Sequence, residues 1–287
     1  MIVTQKIESS LHYLIIDLII YRRNIPFPSK GVVDLVTLRQ SMIAEGVGSM
    51  FLVIAAISPG ILGMDVLGAS LALSVFMNAI AVGFVLFALI ETFGPLSGSN
   101  FNPAVTLALL FSKETTPKRA AAYISAQMVG GFIGLIFTHL MFYDTVPTIL
   151  TISENTKSPG LYFAEFLGAF LLLAVIYGCV RGHSKQTSMS VGFVVGGMLI
   201  TTASTMYANP MVTFERIFTY SISGIAPLSA MFFIIAEILG ALAAAYVMTR
   251  LYPTKHEERV CDPYNCTTEC AAPITPIMVM DSPPKGK

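Results

Sequence analysis

The string Asn102-Pro103-Ala104-Val105-Thr106 recurs as Asn209-Pro210-Met211-Val212-Thr213, and each copy follows an apolar run of helical length. Asn is a favoured helix N-cap, and Pro is favoured at the first helical position, where its missing N–H costs nothing. Each copy therefore opens a helix. The apolar stretch behind it, 105–111 in the first copy and 212–220 in the second, is too short to cross a bilayer. A single Asn-Pro is an ordinary turn. Two at matched positions, each before a half-span, restrict the chain to a fold made of two related halves.

Composition identifies the solvent of that fold. The 287 residues are 54% hydrophobic and 12% charged, against about 25% charged in a soluble domain. A bilayer core of ~30 Å needs roughly 20 apolar residues per helix, and six stretches of about that length occur, near 41–62, 71–93, 120–143, 161–180, 189–205 and 228–251. Basic residues then set the orientation. With six spans, all of them except Lys157 and Arg216 fall on the side of the two termini, so the positive-inside rule places both termini in the cytoplasm of a cell-membrane protein.

The duplication extends through the spans. Ala44-Glu45 at the start of span one matches Ala164-Glu165 in span four; Val82-Gly83-Phe84 in span two matches Val191-Gly192-Phe193 in span five. Ala126-Gln127-Met128-Val129-Gly130 in span three matches Ala236-Glu237-Ile238-Leu239-Gly240 in span six. Three spans per half is an odd number, so the second half enters the membrane upside down, giving an inverted repeat with solute sites near the midplane. The expected fold is an all-α membrane protein of six transmembrane helices and two re-entrant half-helices. Residues 37–252 form the channel domain, with repeats at about 37–143 and 160–252. Residues 1–36 form a cytoplasmic segment whose stretch 11–21 reads as an interfacial amphipathic helix or a leader without structure. Residues 253–287 form a cytoplasmic tail without a packed core.

A re-entrant half-helix is tolerated in the membrane only where it is buried in protein or lines a wet cavity. Inverted symmetry brings both half-helix N-termini to the centre. There the positive dipole ends and the Asn102 and Asn209 amides repel cations and donate hydrogen bonds to a passing oxygen. At these residues the chain resembles the aquaporin, or major intrinsic protein, family, over roughly 37–252. The resemblance rests on Ser97-Gly98-Ser99-Asn100-Phe101-Asn102-Pro103-Ala104-Val105-Thr106 and on the two Ala-Glu pairs. It implies a homotetramer with one pore per subunit, conducting water and small neutral solutes. It also implies that Glu45 and Glu165 accept hydrogen bonds from the loop backbones, as an intramembrane carboxylate requires. Glu91 and Glu237 are further intramembrane carboxylates, read as loop anchors or helix–helix hydrogen bonders in preference to a proton relay.

Departures from the family pattern bear on selectivity. Most members carry Arg two residues after the second Asn-Pro, where this chain has Val212, and Met211 replaces the usual Ala. Ungapped counting puts the remaining filter positions on Val82, Gly197 and Met206, so the expected constriction is wide, apolar and uncharged and admits solutes larger than water. Arg216 lies one turn beyond Val212 on the same face; from there it reaches the outer mouth or pairs with a buried carboxylate or backbone carbonyls. With Gly224-Ile225-Ala226-Pro227 behind it, this stretch is similar to aquaglyceroporin-like bacterial aquaporins of arsenic-resistance operons, which points to glycerol-like polyols or undissociated metalloid acids.

Other chemistry finds little support. His12, His139, His183 and His256 are dispersed, and no nucleophile–base set or phosphate loop occurs, so no enzyme activity, cofactor or nucleic-acid partner is assigned. Cys261, Cys266 and Cys270 in the tail are a candidate soft-metal set, but their spacing is irregular and a fourth ligand is missing, so no metal is assigned. The alternative function is a proton-coupled secondary transporter, which shares inverted repeats but calls for a polar substrate cluster at broken spans.

Overall fold

Proline begins most of the helices in the computed structural model, which describes residues 36–253. It opens α3 (Pro103–Phe111), α4 (Pro117–Met141), α5 (Pro159–Arg181), α7 (Pro210–Glu215) and α8 (Pro227–Leu251), where its fixed φ suits the first turn. The other starts are α1 (Leu38–Gly60), α2 (Leu71–Ser97) and α6 (Thr187–Thr201). Thr37 caps α1 through a reciprocal box with Gln40, and the Ser70 hydroxyl caps α2 by accepting from Leu73 N at 3.3 Å. α1 continues as a π-helical segment, Ile61–Val66, directly after Pro59, whose ring cannot supply the usual helical N–H. α7 tightens into a 3₁₀ turn, Arg216–Phe218. No strand occurs among the described residues.

Five helices are long and apolar enough to cross a membrane: Leu38–Val66, Leu71–Ser97, Pro117–Met141, Pro159–Arg181 and Pro227–Leu251. The sixth, α6, has only 15 residues and stops at Thr201, four residues short of the expected end. Its chain turns extended at Thr202 (ψ 146°) because it must carry the second loop toward the centre. The fold class is thus the expected one. The expected segment 11–21 and the tail cysteines lie outside the described residues.

Packing repeats in the two halves. α1 lies against α4 as α5 lies against α8, and α2 meets α6 across the pseudo-twofold axis. Small residues permit this closeness: a methyl added at Gly130 of α4 would stand 2.0 Å from the Gly46 carbonyl oxygen of α1, and one at the matching Gly240 of α8 would stand 2.2 Å from the Phe166 carbonyl of α5. At the axis, Gly83 and its counterpart Gly192 face each other; a methyl added at Gly83 would stand 2.9 Å from the Gly192 carbonyl oxygen, and one at Gly192 2.7 Å from that of Gly83. Outward faces are apolar, as lipid requires; Phe84 and its repeat partner Phe193 are both exposed. Polar side chains such as Glu45, Gln127, Glu165 and Glu237 are instead fully buried, the reverse of a soluble protein.

This packing is testable at Gly130. Gly130→Ala is expected to destabilise the protein by about 1–3 kcal/mol through overpacking, whereas Gly160→Ala, with nothing within 4 Å of the added methyl, should leave the melting temperature in detergent unchanged or slightly higher. Equal melting shifts for the two variants would refute the close approach of α1 and α4.

Candidate pore and filter

The two half-helices meet end to end through their caps. Asn102 Oδ1 accepts from Ala104 N at 2.8 Å, and Asn209 Oδ1 accepts from Met211 N at 3.1 Å, each satisfying a free N–H of the first turn. The amide nitrogens cross over. Asn102 Nδ2 donates to the Ala208 carbonyl at 2.8 Å, and Asn209 Nδ2 donates to the Phe101 carbonyl at 2.9 Å. Each NH₂ group has a second hydrogen, and both Asn residues line the central cavity.

The residues before the caps are held in unusual backbone. Phe101 and Ala208 have φ of 47° and 44°, a left-handed conformation that costs about 1–3 kcal/mol for a residue with a side chain. Two buried carboxylates over-determine it. Glu45 accepts from Asn100 N at 2.9 Å, Phe101 N at 2.8 Å, Ser97 Oγ at 2.6 Å and Gln127 Nε2 at 2.7 Å. In the other half, Glu165 accepts from Tyr207 N at 3.0 Å and Ala208 N at 2.7 Å. Glu237 takes the Thr213 hydroxyl at 2.5 Å, and Glu91 takes the Ser188 hydroxyl. Both do what a loop anchor or helix-to-helix bond does.

A cavity of about 350 Å³ runs through the centre. Near the ends of α5 and the starts of α4 and α6 it is lined by Glu114, Arg119, Val180 and Thr187; it then passes Asn102 and Asn209 and continues to Val82, Met206, Val212 and Arg216. Val82, Met206 and Val212 are the three expected filter positions that the fold does bring together. Gly197 is a correction. It is exposed, with nothing within 4 Å of an added methyl, and is absent from the cavity wall. α6 presents Val191, Val195 and Leu199 to the cavity at a spacing of four; Gly197 lies two residues from Val195, about 200° round the helix, and so faces away. The buried stripe of Val191, Val195 and Leu199 was the pattern that ungapped counting passed over.

Met211 does not crowd the centre. It is fully buried and lies against Gly131 of α4, where a methyl would stand 2.3 Å from its Sδ. Pro103, Ala104 and Pro210 are likewise buried in the first turns of their half-helices. Arg216 lines the cavity and is 3% exposed, with Nη2 donating to the Ala56 carbonyl at 2.7 Å. Its guanidinium carbon lies 3.9 Å from the centre of the Tyr207 ring, a cation–π contact. Lys157, just before α5, adds to the positive charge here; burial first, then the Arg216 guanidinium, hold its ammonium below the ordinary value, while Glu165 acts in the opposite sense. At the opposite mouth Arg181 pairs with Glu114 and donates from Nη1 to the Tyr252 carbonyl at 2.6 Å. Sequence reasoning missed Glu114, Arg181 and Tyr207, which no motif marks.

Two re-entrant half-helices joined tip to tip inside an inverted bundle, around a continuous cavity, define a membrane channel. A profile of the family described as Major intrinsic protein matches residues 33–208, ending one residue before Asn209. The aquaglyceroporin AqpS of Rhizobium meliloti (strain 1021) is 39% identical over 211 residues, which make up 74% of this chain and 89% of AqpS. Nodulin-26 of Glycine max is 28% identical over 225 residues, 72% of this chain and 76% of nodulin-26. The solved aquaglyceroporin from Plasmodium falciparum shares the fold with a TM-score of 0.59 at 19% identity, covering 73% of this chain and 95% of that one. The chain belongs to the major intrinsic protein family, whose members are passive channels for water and small solutes and not enzymes.

Two substitutions probe the site. Asn209→Asp replaces the donor facing the Phe101 carbonyl by an acceptor and sets a negative charge against the half-helix dipoles; it is expected to admit cation current, read by planar-bilayer recording, that the wild type lacks. Gly197→Leu should leave the glycerol-to-water permeability ratio unchanged. A changed ratio would restore Gly197 to the filter.

Proposed function

We propose that this channel conducts small neutral polyols or undissociated metalloid acids at least as readily as it conducts water, and excludes protons and ions. The observation that carries this reading is the apolar cavity wall of Val82, Met206 and Val212, joined by Leu199 from α6, which we take as the filter ring. Val cannot donate a hydrogen bond, whereas an Arg at Val212 would supply a rigid charged fork that narrows the opening and holds water in single file. Arg216 keeps a positive charge on the wall one turn further out, which raises the barrier to cations without closing the ring. The half-helix N-termini at Asn102 and Asn209 oppose cations at the midplane. The name of AqpS, an aquaglyceroporin, agrees with passage of glycerol-like solutes.

In this reading the channel is a homotetramer of the cell membrane, each subunit holding its own pore, with both termini in the cytoplasm. The excess of Lys and Arg on the terminal side supports the orientation. Flux down a solute gradient is then indifferent to an imposed proton gradient, unlike that of a proton-coupled secondary transporter.

Stopped-flow light scattering on proteoliposomes, with water, glycerol, urea and an undissociated metalloid acid in parallel, tests the selectivity. Val212→Arg is expected to lower the glycerol-to-water ratio by about tenfold, or about 1.4 kcal/mol in barrier, at equal amounts of assembled protein. An unchanged ratio in a well-assembled variant would move the filter to Arg216 and Tyr207.

A further inference from the structure

The two halves solve the same anchoring problem with different side chains. In the first half Gln127 stands behind the loop: its Nε2 donates to Glu45 Oε2 at 2.7 Å and to Thr106 Oγ1 at 3.1 Å. The repeat partners of Glu45, Thr106 and Gln127 are Glu165, Thr213 and Glu237. A carboxyl thus replaces the carboxamide. Glu237 is fully buried; its Oε1 accepts from Thr213 Oγ1 at 2.5 Å, its Oε2 meets no donor, and the repeat sets it against Glu165 as Gln127 is set against Glu45.

Two neighbouring carboxylates shielded from water cannot both carry charge. Glu165 needs its own charge least disturbed, because it accepts the Tyr207 and Ala208 N–H groups that hold the second loop in place. The groups around the pair set the balance. From α5 comes Glu165 itself, from the loop and the segment after α7 come Tyr207 and Arg216, and from the connection before α5 comes Lys157; α7 adds Glu215, another buried acid, whose side chain lies against Gly131 of α4, and α3, which also packs on α8, contributes no titratable side chain. Arg216 already opposes the one charge on Glu165. A second charge on Glu237 would be left buried without a basic partner of its own.

We propose that Glu237 is a neutral carboxylic acid that donates a hydrogen bond to Glu165, doing for the second loop what the Gln127 carboxamide does for the first. Glu237 is then a positioning residue: through Glu165 it holds Tyr207 and Ala208, and through them the Asn209 cap, in pore geometry. The assignment is independent of which solute passes.

Infrared spectroscopy of the full-length protein reads the proton directly, and osmotic water permeability of proteoliposomes reads its effect. The wild type is expected to show the carbonyl stretch of a protonated carboxylic acid that Glu237→Gln lacks. Glu237→Gln, which supplies a permanent donor of the same shape, should keep water flux per assembled channel within about twofold of wild type. Glu237→Leu has similar size but no donor, and is expected to lose about tenfold of that flux or to melt at lower temperature. An unaltered carbonyl band in Glu237→Gln overturns the proposal, as does a Glu237→Gln channel that assembles but loses its flux, or a Glu237→Leu variant that matches wild type in both flux and melting. The spectroscopic readout separates failure here from failure of the proposed solute selectivity.

Discussion

Backbone that is neither helical nor in a sheet has no partner of its own, and in the middle of a membrane no water stands ready to supply one. Everything in this protein follows from placing two such stretches, before Asn102 and before Asn209, at its centre. Each buried N–H left without an acceptor costs about 1–3 kcal/mol, and the first loop alone turns two of them, Asn100 and Phe101, toward a single carboxylate. Glu45 and Glu165 are therefore structural in a literal sense. Their carboxylates are the acceptors that permit a non-helical chain, and the crossed Asn-to-carbonyl bonds at Ala208 and Phe101 lock one loop to the other.

The symmetry is kept at the two loops and their anchoring carboxylates and is loose in the side chains around them. Met211 occupies the position matching Ala104, and the added volume is taken up by Gly131, where the other half has Ala241. Gln127 and Glu237 show the same freedom in polarity: Gln127 donates to Thr106, whereas Glu237 accepts from Thr213.

Much of this was legible before any coordinates. Apolar runs identified the spans, because lipid enforces length and hydropathy together; the Asn-Pro pairs located the half-helices, because capping and the missing proline N–H act locally. The Ala-Glu repeats pointed to the acceptors. Side-chain facing was legible only in part. Val82, Met206 and Val212 reach the cavity, yet Gly197 does not, because counting from a motif across the irregular stretch 202–208 loses the helical register that Val191, Val195 and Leu199 keep. The Arg181–Glu114 pair and its hold on the Tyr252 carbonyl join residues far apart in the chain, and nothing in their local sequence announces it.

The shortness of α6 has a consequence for how the second half is held. A helix of 15 residues rises about 22 Å, less than the hydrocarbon thickness of ~30 Å, and the chain beyond it is irregular. Five of the spans are long and apolar enough to cross on their own. α6 completes its crossing only through the second loop, and that loop is held from both halves at once: by Glu165 of α5, which accepts from Tyr207 N and Ala208 N, and by the first loop, whose Phe101 carbonyl accepts from Asn209 Nδ2.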